Sequence, residues 1–148
     1  MSLKEQLTTD MKEAMKSHDK DRLAVIRMVS GAIRQQEIDG QKELSDEDVI
    51  AVMSKEIKMR KDSIEEFKKG GREDLIAKTQ AEIDVLMPYM PAQLSEDEVR
   101  ELVKAAVAET GAATPKDMGK VMGALMPKVK GRADGKLVNT LVRSMLQG

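Results

Sequence analysis

The sequence predicts an all-α chain, with a four-helix N-terminal domain followed by a three-helix C-terminal domain. Three observations predict it. Apolar residues recur at three- and four-residue steps along the whole length, as one buried helix face requires. Val, Ile and Thr nowhere alternate with polar residues over a strand's length, and aromatics are limited to one Tyr and one Phe. Pro88-Tyr89-Met90-Pro91 interrupts the pattern with a proline pair that no helix continues through. That segment is the expected boundary between domains at 1–90 and 91–148. It is short and apolar, which suggests a packed elbow rather than a free tether.

The elements follow in order. A first helix is expected over about 2–17, burying Leu3, Leu7, Met11, Ala14 and Met15, and the charged run SHDKD breaks it. A second spans about 21–37 with Leu23, Ile26, Val29 and Ile33 inward, and Asp39-Gly40 reads as a turn. Ser45 N-caps a third, where Asp46, Glu47 and Asp48 face the positive end of the helix dipole. Its stripe is Ile50, Met53, Ile57, Ile64 and Phe67, and Gly70-Gly71 ends it. A fourth, about 73–87, carries Leu75, Ile76, Thr79, Ile83 and Leu86. Beyond the prolines, Ser95 and Glu98 form a capping box for a helix with Val99, Leu102, Val103, Ala106 and Val107 on one face, ended by Gly111. Thr114-Pro115 reads as N-cap and first residue of the sixth helix, with Met118, Val121, Met122, Leu125 and Met126 inward and Pro127 as its stop. The loop KVKGRADG follows, with Asp134 as N-cap of a last helix that buries Leu137, Val138, Leu141, Val142 and Met145.

Composition narrows the chemistry. The 148 residues contain no Cys, no Trp and one His, so thiolate nucleophiles, disulfides, cysteine zinc sites and multi-His metal sites are excluded. With 12 Met, the core is expected to be filled by Met with Leu, Ile, Val and Ala. No apolar run approaches the roughly 18 residues of a spanning helix, so no membrane association is expected. The acids in MSLKEQLTTDMKEAMK are unlike a transit peptide, and with the missing cysteines they suggest a reducing cytoplasm. No cofactor is implied.

Few residues could carry chemistry. His18 sits among acids in a break, with nothing to orient it as a base. The acidic runs fan around helix starts rather than converge, and Asp62, Glu65 and Glu66 among Lys58, Arg60 and Lys61 read as an ion-paired surface. GRADGK has one residue too few between its glycines for a P-loop, and Leu137 stands where Ser or Thr would hold magnesium. Arg22, Arg27, Arg34 and Arg60 flank apolar stripes. Either their stems cover the core, or they line an interhelical groove for an anion or acidic partner. Gly119 and Gly123 lie one turn apart inside a helix, where each costs up to about 1 kcal/mol relative to Ala. Such a pair implies close packing or docking.

The end of the chain is basic. From Pro115 onward there are 7 Lys or Arg against 2 acids, in a chain of net charge −1. Lys120, Lys128, Lys130, Arg132, Lys136 and Arg143 are the candidate contacts to phosphates. Lys128, Lys130 and Arg132 are expected to alternate along one loop. No aromatic is near enough to stack on a base, which disfavours a single-strand platform.

MGKVMGALMPKVKGRADGKLVNTLVRSML resembles the closing segment of the GatB/YqeY family. RKDSIEEFKKGGREDL, AEIDVLMPYMPAQLSEDEV and AETGA are similar to its free-standing YqeY branch, so the likeness spans the chain. The matched pattern points are Gly119, Val121, Met122, Lys128, Gly131, Ala133, Asp134, Val138, Asn139 and Leu141. Of these, Gly119, Gly131, Asp134 and Asn139, with Gly123 beside them, are read as loop and helix-contact positions. The resemblance implies a C-terminal three-helix domain like the tail of the tRNA-dependent amidotransferase B subunit, which helps hold tRNA there. It also implies a family label of carbon–nitrogen ligase with glutamine as amido donor, although no nucleophile or triad supports that chemistry in this chain. The expected function is a non-catalytic tRNA-binding accessory module, with an aminoacyl-tRNA synthetase or amidotransferase as a further partner. The alternative is a protein–protein adaptor using Met-lined helical surfaces.

Overall fold

The computed structural model describes residues 1–147; Gly148, the end of the expected C-terminal domain, lies outside the described residues. Among the described residues the regular elements are seven α-helices and two short 3-10 turns. Two compact units divide the chain, Met1–Met90 and Pro91–Gly148.

The first unit holds α1 (Leu3–Lys16), α2 (Lys20–Gly40), α3 (Asp46–Lys69), α4 (Glu73–Leu86) and a 3-10 turn at Met87–Tyr89. Side chains set the starts of α1 and α3. The Ser2 hydroxyl accepts from the Glu5 N–H at 3.2 Å while the Glu5 carboxylate accepts from the Ser2 N–H at 3.2 Å. Ser45 and Asp48 repeat the exchange. Asp46 also accepts from the Leu3 N–H at 3.0 Å, which fastens the start of α1 to the start of α3. The break after α1 is a left-handed turn at His18, φ 58°. There the Asp19 N–H reaches back to the Ala14 carbonyl at 3.0 Å, and the Asp19 carboxylate caps α2 at the Arg22 N–H. The core gathers Leu7, Ile26, Val29, Met53 and Leu86, all at most 2% exposed.

Two expectations for this unit are corrected. Helix α2 runs through Asp39 and Gly40 instead of turning there, helped by a Gln35–Asp39 hydrogen bond one turn apart. The left-handed residue that ends it is Gln41, φ 52°. Arg60 does not hold its head in water. Its guanidinium donates to Glu56 on its own helix, to Glu82 on α4 and to the Met28 thioether on α2.

The second unit holds α5 (Glu96–Thr110), a 3-10 turn at Pro115–Asp117, α6 (Met118–Val129) and α7 (Gly135–Gln147). Gly111 closes α5 at φ 69°, a backbone region that side chains disfavour. Val99, Val103, Ala106, Val121, Leu125 and Val142 are fully buried. Pro115 opens the 3-10 turn rather than α6. There Asp117 binds back to the N–H groups of Ala113 and Thr114 at 3.0 and 3.3 Å, holding the turn tight before α6 begins. Pro127 does not stop α6, which continues to Val129. A proline so near the helix end forfeits one backbone bond, and its φ is already helical. Methionine fills the core in part: Met11, Met87, Met90, Met118, Met122 and Met145 pack partly buried against the two clusters. Met53 is the one fully buried methionine among the described residues, while Met15, Met28, Met59 and Met126 are exposed. No helix is long and apolar enough to cross a membrane among the described residues.

Stability is expected to depend on acid in a particular window. The Lys4 ammonium and the Leu44 N–H hold the Glu37 carboxyl below its ordinary value. The Ser95 backbone and hydroxyl lower Glu98, and the Ala113 and Thr114 N–H groups lower Asp117. Each carboxylate therefore favours folding above the ordinary carboxylate range and loses that contribution as pH falls through its lowered folded value. Melting temperature should stay level from pH 7 to about 5 and fall by pH 3, less so in Glu37→Gln. An unchanged melt at pH 3 would contradict this account.

Candidate functional site

The basic segment is built on the junction between α6 and α7. The Lys130 N–H ends α6 on the Met126 carbonyl at 2.9 Å. Gly131 then turns left-handed at φ 74°, and the N–H groups of Arg132 and Ala133 both return to the Val129 carbonyl. The chain before α5 staples this junction. The Leu94 N–H donates to the Arg132 carbonyl at 2.8 Å, and the Gln93 amide donates to the Gly131 carbonyl at 2.9 Å. Asp134 starts α7, its carboxylate accepting from the Lys136 N–H at 2.9 Å and its carbonyl from the Val138 N–H at 3.1 Å.

The candidate cations separate by what they do. Lys128 lies inside α6, not in a loop, and its ammonium stands 3.8 Å from the Glu109 carboxylate. The Arg132 Nε donates to the Ala92 carbonyl at 3.2 Å, so this side chain holds the staple. Lys136 is exposed in the first turn of α7. Lys120, Lys130 and Arg143 are exposed, and the side chains of Lys130 and Arg143 make no ion pair or hydrogen bond among the described residues. Lys120, Gly123, Pro127 and Lys130 recur at three- and four-residue steps, so they share one face of the helix and its cap.

Gly119 and Gly123 belong to that exposed face. A Cβ added at either would meet nothing within 4 Å. Close packing inside the unit therefore does not account for them, and that expectation is corrected. Asn139, on α7, carries a buried side-chain oxygen without a hydrogen-bond partner among the described residues.

Elsewhere the candidates scatter. His18 is exposed at its turn. Arg27 and Arg34 are exposed on α2, and Arg22 stands 3.8 Å from Asp10. Asp62, Glu65 and Glu66 pair with Lys58, Lys68 and Lys69 as a solvated surface. The sequence reading missed the Tyr89–Asp10 contact. Tyr89, 7% exposed, donates its phenol to the Asp10 carboxylate and so ties the end of the first unit back to α1. Burial, then the Asp10 bond, push the phenol up to about 12, so it remains a donor at any physiological pH. The available signal was the chain's lone Tyr standing between prolines in an apolar segment.

Comparison with known proteins adds what geometry alone does not. The family model described as Yqey-like protein matches residues 4–146. The chain is 36% identical over 146 residues to "Altered inheritance of mitochondria protein 41, mitochondrial" of Pyrenophora tritici-repentis, covering 95% of this chain and 78% of that protein. The proteins of that name from Lachancea thermotolerans and Saccharomyces cerevisiae are 37% and 36% identical over 74% and 71% of this chain. Those alignments span 60% of each yeast protein. The names overturn the expectation of a cytoplasmic protein, since these relatives are named as mitochondrial. Its physical basis was too weak: an absence of cysteine constrains redox chemistry and does not distinguish one compartment from another. A match across nearly the full length, together with relatives above a third identical, establishes that the chain belongs to the Yqey-like protein family.

Proposed function

We propose that this chain is a non-catalytic tRNA-binding accessory module, with 1–90 and 91–148 as separately folding domains and RNA meeting the second. The observation that carries the reading is the bare face of α6. Two glycines stand open to solvent, Gly119 in the first turn of α6 and Gly123 inside it, with Lys120 and Lys130 on the same face. Gly123 costs the helix up to about 1 kcal/mol with no packing gain inside its unit. A sugar–phosphate backbone laid against that face would make use of both features, the close approach and the positive charge. The resemblance to the amidotransferase tail points the same way. An aminoacyl-tRNA synthetase or amidotransferase acting on the same tRNA is the companion this reading implies. The division into domains is supported by two apolar clusters that share no residue.

A second reading, a protein adaptor, is favoured by one observation. Met126, 43% exposed, lies on α6 between Gly123 and Pro127, where a flexible thioether could meet a partner helix.

Three outcomes test this account. Residues 91–148 alone should remain helical and melt cooperatively; a non-cooperative melt would show that the two units fold as one. In filter retention of tRNA at several salt concentrations, removing the charges of Lys120, Lys130 and Arg143 together should flatten the log–log slope by about 2 to 3, at roughly 0.7 to 0.9 per phosphate. If this triple variant binds tRNA with the parent's slope, the RNA reading fails and the adaptor gains. Gly123→Ala should act with opposite signs on two readouts. It should raise stability by up to about 1 kcal/mol, because the helix gains propensity and the methyl meets open space. It should also weaken tRNA retention by standing between the helix and the RNA backbone. Tighter or unchanged retention would remove the docking role of the glycines.

A further inference from the structure

A second feature lies in the first unit, apart from the basic junction. A cleft of about 130 Å³ opens between α1 and α2. Its walls are side chains at helical spacing. Lys4 and Thr8 stand one turn apart on α1, and Ser30, Arg34 and Glu37 follow at four- and three-residue steps on α2. Leu7 and Ile33, 2% and 3% exposed, close it on the core side.

The polar groups of this cleft are not equally committed. Glu37 accepts from the Lys4 ammonium at 2.6 Å and from the Leu44 N–H at 2.8 Å. That carboxylate and that ammonium cancel one another. The Thr8 hydroxyl donates to the Lys4 carbonyl at 3.0 Å, which leaves its oxygen only as an acceptor. Arg34 is different. Its guanidinium is exposed and makes no hydrogen bond or ion pair among the described residues. The Ser30 hydroxyl, one turn before it, also makes none. The cleft therefore sets Lys4 and Arg34 against the one Glu37 carboxylate, which feels both charges, and so keeps a net positive charge, a planar fork of N–H donors and a free hydroxyl over an apolar floor. A guanidinium fork matches two oxygens of a tetrahedral oxyanion.

We propose that this cleft binds a phosphoryl group, with Arg34 gripping two of its oxygens and Ser30 donating to a third. The Thr8 oxygen accepts from the P–O–H of a monoprotonated phosphate. The group arrives either as inorganic phosphate or as the phosphate of a small monoester, since a cleft of this size takes the head group and leaves the remainder outside. The proposal does not depend on the reading of α6.

The test uses the full chain at low ionic strength. Inorganic phosphate and glycerol phosphate are titrated separately, followed by calorimetry and by the amide resonances of Ser30 and Arg34. Saturable binding is expected with at least one probe. Arg34→Gln should weaken it about tenfold or more, because a charge-assisted bidentate contact is lost. Arg34→Lys keeps the charge without the fork and should fall between parent and Arg34→Gln. Ser30→Ala should weaken binding less than Arg34→Gln. Arg100→Gln, in the second unit, should stay within twofold of the parent. Thermal melts check that each variant is folded. Tighter binding of glycerol phosphate would support the proposal with an ester as the source; equal binding would support it with inorganic phosphate. No saturable response to either probe, or equal losses in Arg34→Gln and Arg100→Gln, would overturn it.

Discussion

Each of the two apolar clusters has to be closed by aliphatic side chains, because Tyr89 is the one aromatic in either. Val, Ile and Leu bring less area per residue than an aromatic ring does. The chain meets that constraint with many helices, whose starts are tied down by side chains. Ser2, Ser45 and Ser95 each exchange hydrogen bonds with an acid three residues on. Glu37 goes further and joins α1, α2 and the entry to α3 through one carboxylate. Arg60 does the same for α2, α3 and α4. These polar ties fix where helices begin and which faces they present, and the aliphatic clusters then supply most of the burial.

The all-helical fold was legible because local signals agreed with the global one. Ser45 and Ser95 announced their helices, Gly111 ended α5, and the stripes over Val99–Ala106 and Ile26–Ile33 are buried as their spacing requires. The misreadings cluster where tertiary or local bonds override propensity. Asp39-Gly40 looks like a turn, yet α2 carries through it to Gln41. Pro127 looks like a stop, yet it sits where a helix has few bonds left to lose. Composition foretold methionine at the cores but not its depth, since a count of residues cannot say which of them a stripe buries.

The site was less legible than the fold. A run of Lys and Arg in sequence says that charge is present, not what each charge touches. Arg132 is occupied by the Ala92 carbonyl and Lys128 stands near Glu109, so the six basic residues are not equivalent. The glycine pair gave the opposite lesson. Its helical spacing was plain, but only coordinates could tell a buried contact from an open face. Tyr89 and Asp10 are 79 positions apart in the sequence, and no short motif predicts such a contact.

The graded burial of the methionines has a consequence for oxidative damage. Peroxide converts a thioether to a polar sulfoxide, which disrupts a core when the sulfur lies inside one. Here Met15, Met59 and Met126 hold their sulfur-bearing side chains at the surface, Met11, Met87, Met90, Met118, Met122 and Met145 pack partly buried against the clusters, and Met53 is sealed within one. The accessible sulfurs therefore react first, and their oxidation leaves both aliphatic cores closed. Met28 is the exception among the exposed ones, because its thioether accepts from Arg60 at 3.0 Å. Oxidation there would replace a weak acceptor with a strong one beside a guanidinium, so the same chemistry that ages the surface would tighten one tie between helices.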